Sequence, residues 1–315
     1  MIAAATGFFD GVHLGHRKVL ARLCEIAKAR GEKSAVVTFW PHPRSVLQQQ
    51  AYNLRLLTTL EEKRDLFKEI GINRTIILKF TKEFSLLTTE EFLSVYLKKK
   101  YDVDTLVIGY DHKIGHDVNE TQKEMIEIAR KVGIEVIRVD EYVDGESSDN
   151  KGVSSSGEII SSTKIRHILE DGNIPKANSF LGYRYGLKGV IVSGKKIGRT
   201  IGFPTANLKL YNPLKLVPEN GVYSVYVAVN GKTYMGICNI GVRPTVGDNN
   251  EKTIETHILD FDEDIYGLDL KIEFVDRMRQ ESKFDSLEKL KEQLCLDKQQ
   301  ARSSLCVALP HIVLR

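Results

Sequence analysis

A change of rhythm near Gly182 constrains this chain more than any other feature: before it, short apolar runs alternate with helical patterns, and after it strand follows strand. The runs IAAAT (2–6), SAVVTF (34–39), RTIILKF (74–80), DTLVIG (104–109) and GIEVIRV (133–139) are separated by amphipathic stretches, which predicts parallel β-α-β units with a sheet covered on both faces. Val19, Leu20, Leu23, Ile26 and Ala27 recur at helical spacing, and Thr59 with Glu62 three residues on reads as a capping box. Beyond Gly182 come YGLKGVIVSG, NGVYSVYVAVNGKTYMGICNIG, TIETHILDF and LDLKIEFV, with no helical pattern between them. Asn230-Gly231 between alternating runs signals a tight hairpin, so an antiparallel barrel or sandwich is expected. From Asp285, Leu287, Leu290, Leu294 and Leu305 recur among charges as one closing helix. The expectation is an α/β chain of two unlike domains, 1–181 and 182–315, which suits 315 residues at about 150 per domain. The polar run at 144–158 reads as a mobile surface loop.

Composition removes several function classes. With 45 basic and 42 acidic residues the net charge is +3, so there is no basic stripe of the kind nucleic-acid binding uses. No uncharged apolar run approaches the roughly 20 residues of a membrane span, and no basic segment leads into an apolar one as in a secretory leader. The expected compartment is therefore the cytoplasm. The four cysteines, Cys24, Cys238, Cys295 and Cys306, form no CxxC pair, which argues against a disulfide framework or structural zinc and for packing roles. Lys98–Lys100 close a helical stretch, where cations complement exposed carbonyls.

Directly after the first strand stands GFFDGVHLGH (7–16), with a helix beginning near its end. Glycines 7, 11 and 15 let backbone approach a ligand, and a helix start after a parallel strand offers unpaired N–H groups to phosphate. His13 and His16 project to one side, where two imidazoles can donate to oxygens of a phosphorus centre as charge builds on it, the alternative being two histidines that cap and pack a helix start. No protein nucleophile is needed, and the spacing is not the dinucleotide G-x-G-x-x-G. A second phosphate candidate is SSTKIR (161–166), where Ser162, Thr163 and Arg166 enter a helix; by itself it reads equally as an N-cap and a surface arginine.

GKKIGRTIGFPTANL (194–208) opens the second half without the lysine-serine/threonine ending of a P-loop. Backbone amides around Gly198 and Gly202 could wrap a phosphate, and Thr205 and Asn207 offer neutral oxygens two residues apart, suited to Mg²⁺. A turn followed by a strand remains the alternative. In TIETHILDF, alternation puts Ile254, Thr256 and Ile258 on one face and Glu255, His257 and Leu259 on the other. If the first face is core, Glu255 points to the barrel mouth or solvent, where a carboxylate can take a proton from an attacking alcohol.

Taken together, GFFDGVHLGH, TFWPHP (38–43), LTTLEEKRDLFKEIG (57–71), GYDHKIG (109–115) and SSTKIR resemble the adenylyltransferase half of the prokaryotic bifunctional FAD synthetases, the riboflavin kinase/FMN adenylyltransferase family. GKKIGRTIGFPTANL, VPENGVYSV (217–225), GICNIGVRPTV (236–246), ETHILDFDEDIYG (255–267) and RMRQESKFDSLEKL (277–290) resemble its kinase half. The resemblance spans nearly the whole chain. It implies a Rossmann-like nucleotidyltransferase domain followed by a riboflavin kinase-like barrel, with ATP, riboflavin and FMN as substrates and Mg²⁺ as cofactor. It also implies ATP-phosphate roles for His13 and His16, ATP contacts at Gly7, Phe8, Asp10, Gly15, Ser162, Thr163 and Arg166, and a flavin-side role for Asp111. For the kinase it implies Mg-ATP binding at Gly198, Gly202, Thr205 and Asn207, Glu255 as base, and Arg277 and Arg279 in a mobile flavin loop. His112 and Ile114 stand where the family commonly has phenylalanines. No nucleic-acid or membrane partner is expected, and a transient homo-oligomer stays open.

Overall fold

The computed structural model describes all residues except 48–53, 111, 113, 116–120, 143–157, 195–196, 243–251 and 308–315, together with all but the side chains of Ile197 and Val307. The loop expected at 144–158 lies outside these apart from Glu158. Two compact units emerge, Met1–Ser162 and Thr163–Arg315.

In the first unit, β1 (Ile2–Thr6), α1 (Leu14–Arg30), β2 (Lys33–Trp40), α2 (Pro43–Leu47), α3 (Leu60–Ile70) and β3 (Arg74–Lys79) lead to α4 (Thr89–Glu91), which continues as a π-helix over Phe92–Lys100. Then come β4 (Val103–Ile108), α5 (Gln122–Lys131) and β5 (Glu135–Arg138). The five strands form a parallel sheet in the order β3-β2-β1-β4-β5, as the alternation predicts. Its two faces bury separate cores. Ala3, Ala5 and Val36 pack with Leu20, Leu23 and Phe67, whereas Ala4, Ala35 and Val37 pack with Phe92, Leu93 and Met125. Alanines on the central strand let helices approach closely from both sides. The expected capping box is present: Thr59 Oγ1 accepts from Glu62 N, and the Glu62 carboxylate accepts from Thr59 N.

The second unit opens with α6 (Ser162–Glu170, its first residue at the boundary) and α7 (Ile174–Leu181), then β6 (Gly186–Val192), α8 (Ile197–Thr200) and β7 (Ala206–Leu210). It continues with β8 (Gly221–Val229), β9 (Lys232–Val242), β10 (Lys252–Ile258), β11 (Asp269–Arg279) and α9 (Leu287–Val307). The strands close a six-stranded antiparallel barrel in the order β10-β7-β6-β11-β8-β9. Asn230 and Gly231 turn the β8–β9 hairpin at φ 51° and 72°, the left-handed values a two-residue turn needs. Strand β8 is buried almost throughout, because α9 covers its outer face while the barrel interior buries the other: Val222, Tyr226 and Ile237 meet Ala301 and Leu305.

The sequence boundary at 181 falls inside this second unit. The reason is local: the Asn178 side chain of α7 donates to Phe274 O (2.9 Å) on β11 and accepts from Tyr185 N (2.7 Å), tying the helix to the barrel. Glu219 N also donates to Leu169 O of α6. Packing roles hold for buried Cys238 and half-buried Cys24, but Cys295 and Cys306 are exposed on α9.

Candidate functional site

The loop after β1 lies at the carboxyl edge of the sheet, on the strand where the order reverses, the usual ligand crevice of an open parallel sheet. Gly7 N donates to Val37 O, and the chain then turns through left-handed Phe9 (φ 51°), Gly11 (φ 80°) and Val12 (φ 38°). Two non-glycine residues in that region mark strain held in place by neighbours. Asp10 supplies the hold: buried, it accepts from Leu57 N (3.1 Å), Thr58 N (3.0 Å) and Thr58 Oγ1 (3.2 Å). Both carboxylate oxygens of Asp10 thus anchor the Leu57–Thr58 segment to this loop.

His13 caps α1, its Nδ1 accepting from His16 N at 3.4 Å. That bond assigns the ring proton to Nε2, leaving an N–H to donate. The two imidazoles stack with centroids 3.6 Å apart and an interplanar angle of 19°. Gly15 makes room: a Cβ there would lie 3.2 Å from the His13 ring. Burial lowers His13 to about 4, against the opposing pull of Asp10. His16 is held well below its ordinary value by burial, then by His13 and Lys63. Both rings are therefore neutral near pH 7 and act as hydrogen-bond donors rather than cations. His16 Nδ1 is buried without a partner among the described residues.

Within the first unit, Ser162 Oγ donates to Asp10 O at 2.8 Å. Thr163 and Arg166 follow on α6 in the second unit. Asp111 lies outside the described residues. His112, the departure from the family, places Nε2 2.8 Å from Thr6 Oγ1 at the end of β1. Ile114 packs against the core, its carbonyl accepting from Thr89 Oγ1.

In the barrel, alternation runs as expected, with Ile254, Thr256 and Ile258 buried inside. Glu255, partly exposed on the other face, lines a cleft of about 340 Å3 together with Leu290, Leu294 and Asp297 of α9. The register aligns Asn207 of β7, Glu255 of β10, Asn239 of β9, Val222 of β8 and Arg279 of β11 in one row across five strands. Asn239 and His257 belong to this site and carried no signal in the sequence beyond their motifs. His257 Nδ1 meets Pro204 O at 2.8 Å and its ring leans on Phe203, fixing the turn that presents Thr205.

Thr205 also lines a second cleft of about 360 Å3 with Arg199, Ala206 and the acidic turn Asp262–Asp264. The turn around α8 closes on itself, Gly202 N donating to Arg199 O and Phe203 N to Gly198 O. The Gly202 amide is engaged within the turn, at 3.3 Å from Arg199 O. Gly198 permits the turn, since a Cβ there would lie 2.1 Å from Phe203 O. Gly194 backs onto Asn207, where a Cβ would lie 2.3 Å from Nδ2. Thr205 and Asn207 carry neutral oxygen donors of the kind Mg²⁺ accepts, and among the described residues no group of three or more His, Cys, Asp or Glu is arranged to hold a metal ion.

Arg277 and Arg279 lie in strand β11 rather than in a loop. Arg277 donates to Asn220 O, while Arg279 donates through Nε and NH2 to buried Asp297, which also accepts from Gln293 Nε2 at 2.9 Å. The irregular segment begins at Gln280, and Glu281 Oε1 accepts from Asn239 Nδ2 at 3.3 Å.

Comparison with known proteins matches both halves of the chain. The family model described as FAD synthetase matches residues 1–157, and that described as Riboflavin kinase matches 181–305. A bifunctional riboflavin kinase/FMN adenylyltransferase of Bacillus subtilis is 37% identical over 94% of this chain and 90% of its own length. The protein of that name from Escherichia coli is 33% identical over 96% and 93%. A crystal structure titled as a macrolide-efflux protein from Streptococcus pneumoniae superposes with a TM-score of 0.84 at 30% identity, over 95% of this chain and 93% of that one. Among the described residues no helix is long and apolar enough to cross a membrane. With relatives this similar along almost its whole length, the chain belongs to the bifunctional riboflavin kinase/FMN adenylyltransferase family.

Proposed function

We propose that this chain phosphorylates riboflavin to FMN in its second unit and adenylylates FMN to FAD, with release of pyrophosphate, in its first. The observation that carries this reading is the presence in one chain of two separate phosphate-handling constellations: stacked neutral imidazoles at a helix start, and a carboxylate directly across from Asn207.

For adenylyl transfer, an FMN phosphate oxygen attacks the α-phosphorus of ATP and the bond to pyrophosphate breaks. His13 Nε2–H and His16 donate to the oxygens on which charge accumulates, and the N–H groups at the start of α1 add to the same field. Neutral donors of this kind keep their protons throughout, so no base is regenerated.

For the kinase step, the apolar wall of the Glu255 cleft, with Ile201, Phe203, Val222 and Phe284, suits an aromatic flavin, and the cleft with Arg199 suits ATP. Thr205 lines both, which supports a phosphate junction there. Glu255 takes the proton of the riboflavin 5′-hydroxyl as its oxygen bonds to the γ-phosphorus and ADP leaves. Thr205 and Asn207 would hold Mg²⁺, which would neutralise charge on the ATP phosphates in this step. Purified chain incubated with riboflavin, ATP and Mg²⁺ should give FMN and then FAD on chromatography. FMN that never converts, with ATP in excess, would sink the adenylyltransferase half.

A further inference from the structure

The segment LTTLEEK carries part of the family likeness, yet neither reaction above uses its lysine. Lys63 sits in the first turn of α3, wholly buried, beneath the GFFDGVHLGH loop. Its Nζ donates to Phe8 O at 3.0 Å and lies 3.5 Å from the centre of the Phe8 ring. Thr38 Oγ1 of β2 shares that carbonyl at 3.4 Å. The charged or titratable groups facing the ammonium are Asp10 from the turn after β1 and His16 from α1, with His13 stacked on His16.

A buried ammonium is costly unless it is compensated, and on a helix surface the same residue would sit in water at no cost. Here it holds a strained loop from below, at the point where Gly7, Phe9 and Val12 leave ordinary backbone geometry. It also places a fixed positive charge beside the ring meant to face phosphate. We propose that Lys63 is a positioning residue for adenylyl transfer, its ammonium fixing the Phe8 carbonyl and the field around His16 so that the loop is set to receive the phosphates of ATP. This rests on the assignment of His13 and His16 to those phosphates.

Burial lowers the Lys63 ammonium to about 8, with Asp10 pulling the other way. Above that pH the charge is lost, so the positioning should be lost with it. The experiment compares the full chain with Lys63→Met and Lys63→Arg, measuring FAD formation from supplied FMN and FMN formation from riboflavin between pH 6.5 and 9.5. In the parent, FAD formation should fall through pH 8 relative to FMN formation. Lys63→Met should lower kcat for FAD formation about 10- to 100-fold, the scale of a displacement near 1 Å, with KM for ATP within about threefold and FMN formation unchanged. Lys63→Arg keeps a cation that does not titrate, so its profile should stay level past pH 9.

If Lys63→Met does not fold, the arginine profile decides alone. A parental profile level through pH 8, a methionine variant at the parental rate, or an arginine variant that falls at pH 8 as the parent does would each overturn the proposal. His16→Ala separates the two layers: full FAD formation by that variant removes the phosphate assignment itself, whereas its loss alongside unaffected Lys63 variants removes only Lys63.

Discussion

Glu255 stands directly opposite Asn207 in the β10–β7 ladder, and on its other side opposite Asn239 of β9. Side chains paired in this way share a face with Cβ atoms about 5 Å apart, so the carboxylate and the amide reach the same small volume. The proposed kinase step gives each a distinct task there: proton acceptor for one, neutral oxygen ligand for the other.

Glu255→Gln tests that division. Glutamine retains the size and one acceptor oxygen but cannot take the proton, so folding and Mg-ATP binding should persist. Single-turnover phosphorylation of riboflavin at saturating Mg-ATP should slow by about 10²–10⁴, the usual worth of a general base. FAD formation from supplied FMN should continue at the parental rate. A phosphorylation rate within about threefold of the parent would remove Glu255 from the mechanism.

His16→Ala addresses the other unit. Removal of one preorganised donor typically costs about 10²–10³ in rate. FAD formation should fall by that factor while riboflavin phosphorylation is spared. Equal loss of both activities, with a lowered melting temperature, would instead point to a structural role for the buried ring.

The five strands of the sheet were legible because each is an apolar run flanked by helical patterns, and β8–β9 because Asn-Gly can adopt the left-handed turn. Strand β11 was legible only as far as its alternation lasts. Irregularities between Phe274 and Asp276 and between Arg277 and Arg279 shift the register there, and the loop expected at the two arginines came from the family resemblance rather than from local pattern. The five-strand row through Glu255 was invisible for a different reason: register between distant strands is set by barrel closure, not by local pattern. Lys63 was missed because a lysine in a helix's first turn normally faces water, and nothing in LTTLEEK announces that α3 turns that face inward. Asp10 was visible as a loop residue, but its partners Leu57 and Thr58 lie 47 and 48 residues away.

His13 predicts an acid sensitivity whose sign can be worked out. Its folded value, about 4, lies below the unfolded 6.5, so the unfolded chain binds more protons between these limits. Stability of the first unit is therefore undiminished by this group above about pH 6.5 and falls as the pH drops toward 4. A gap of this size corresponds to about 3 kcal/mol in full. Chemical denaturation of the first unit followed from pH 7 to 4 should show the loss, and His13→Gln should flatten it. A variant with the same slope as the parent would show that other groups dominate the acid limb.

The position of the functional boundary gives the last prediction. Matching to the kinase family begins at residue 181, yet α6 and α7 belong to the compact unit that contains the barrel. Asn178 is the clearest tie, bridging Tyr185 N and Phe274 O through its two amide atoms. Tyr185 is fully buried, and its hydroxyl donates to Leu216 O at 2.7 Å, so this corner is part of the barrel's own packing. A fragment of residues 163–315 should fold and phosphorylate riboflavin without the first unit. A fragment of 183–315 lacks Asn178 and leaves a backbone donor and acceptor without their partner. At about 0.5–1.5 kcal/mol net for each of these two hydrogen bonds, their loss should make the shorter fragment less stable by about 1–3 kcal/mol. Urea midpoints of the two fragments, at equal slope, measure the difference directly. Coincident midpoints and equal kinase activity would show that α6 and α7 are dispensable to the barrel and that the kinase begins where its sequence family does.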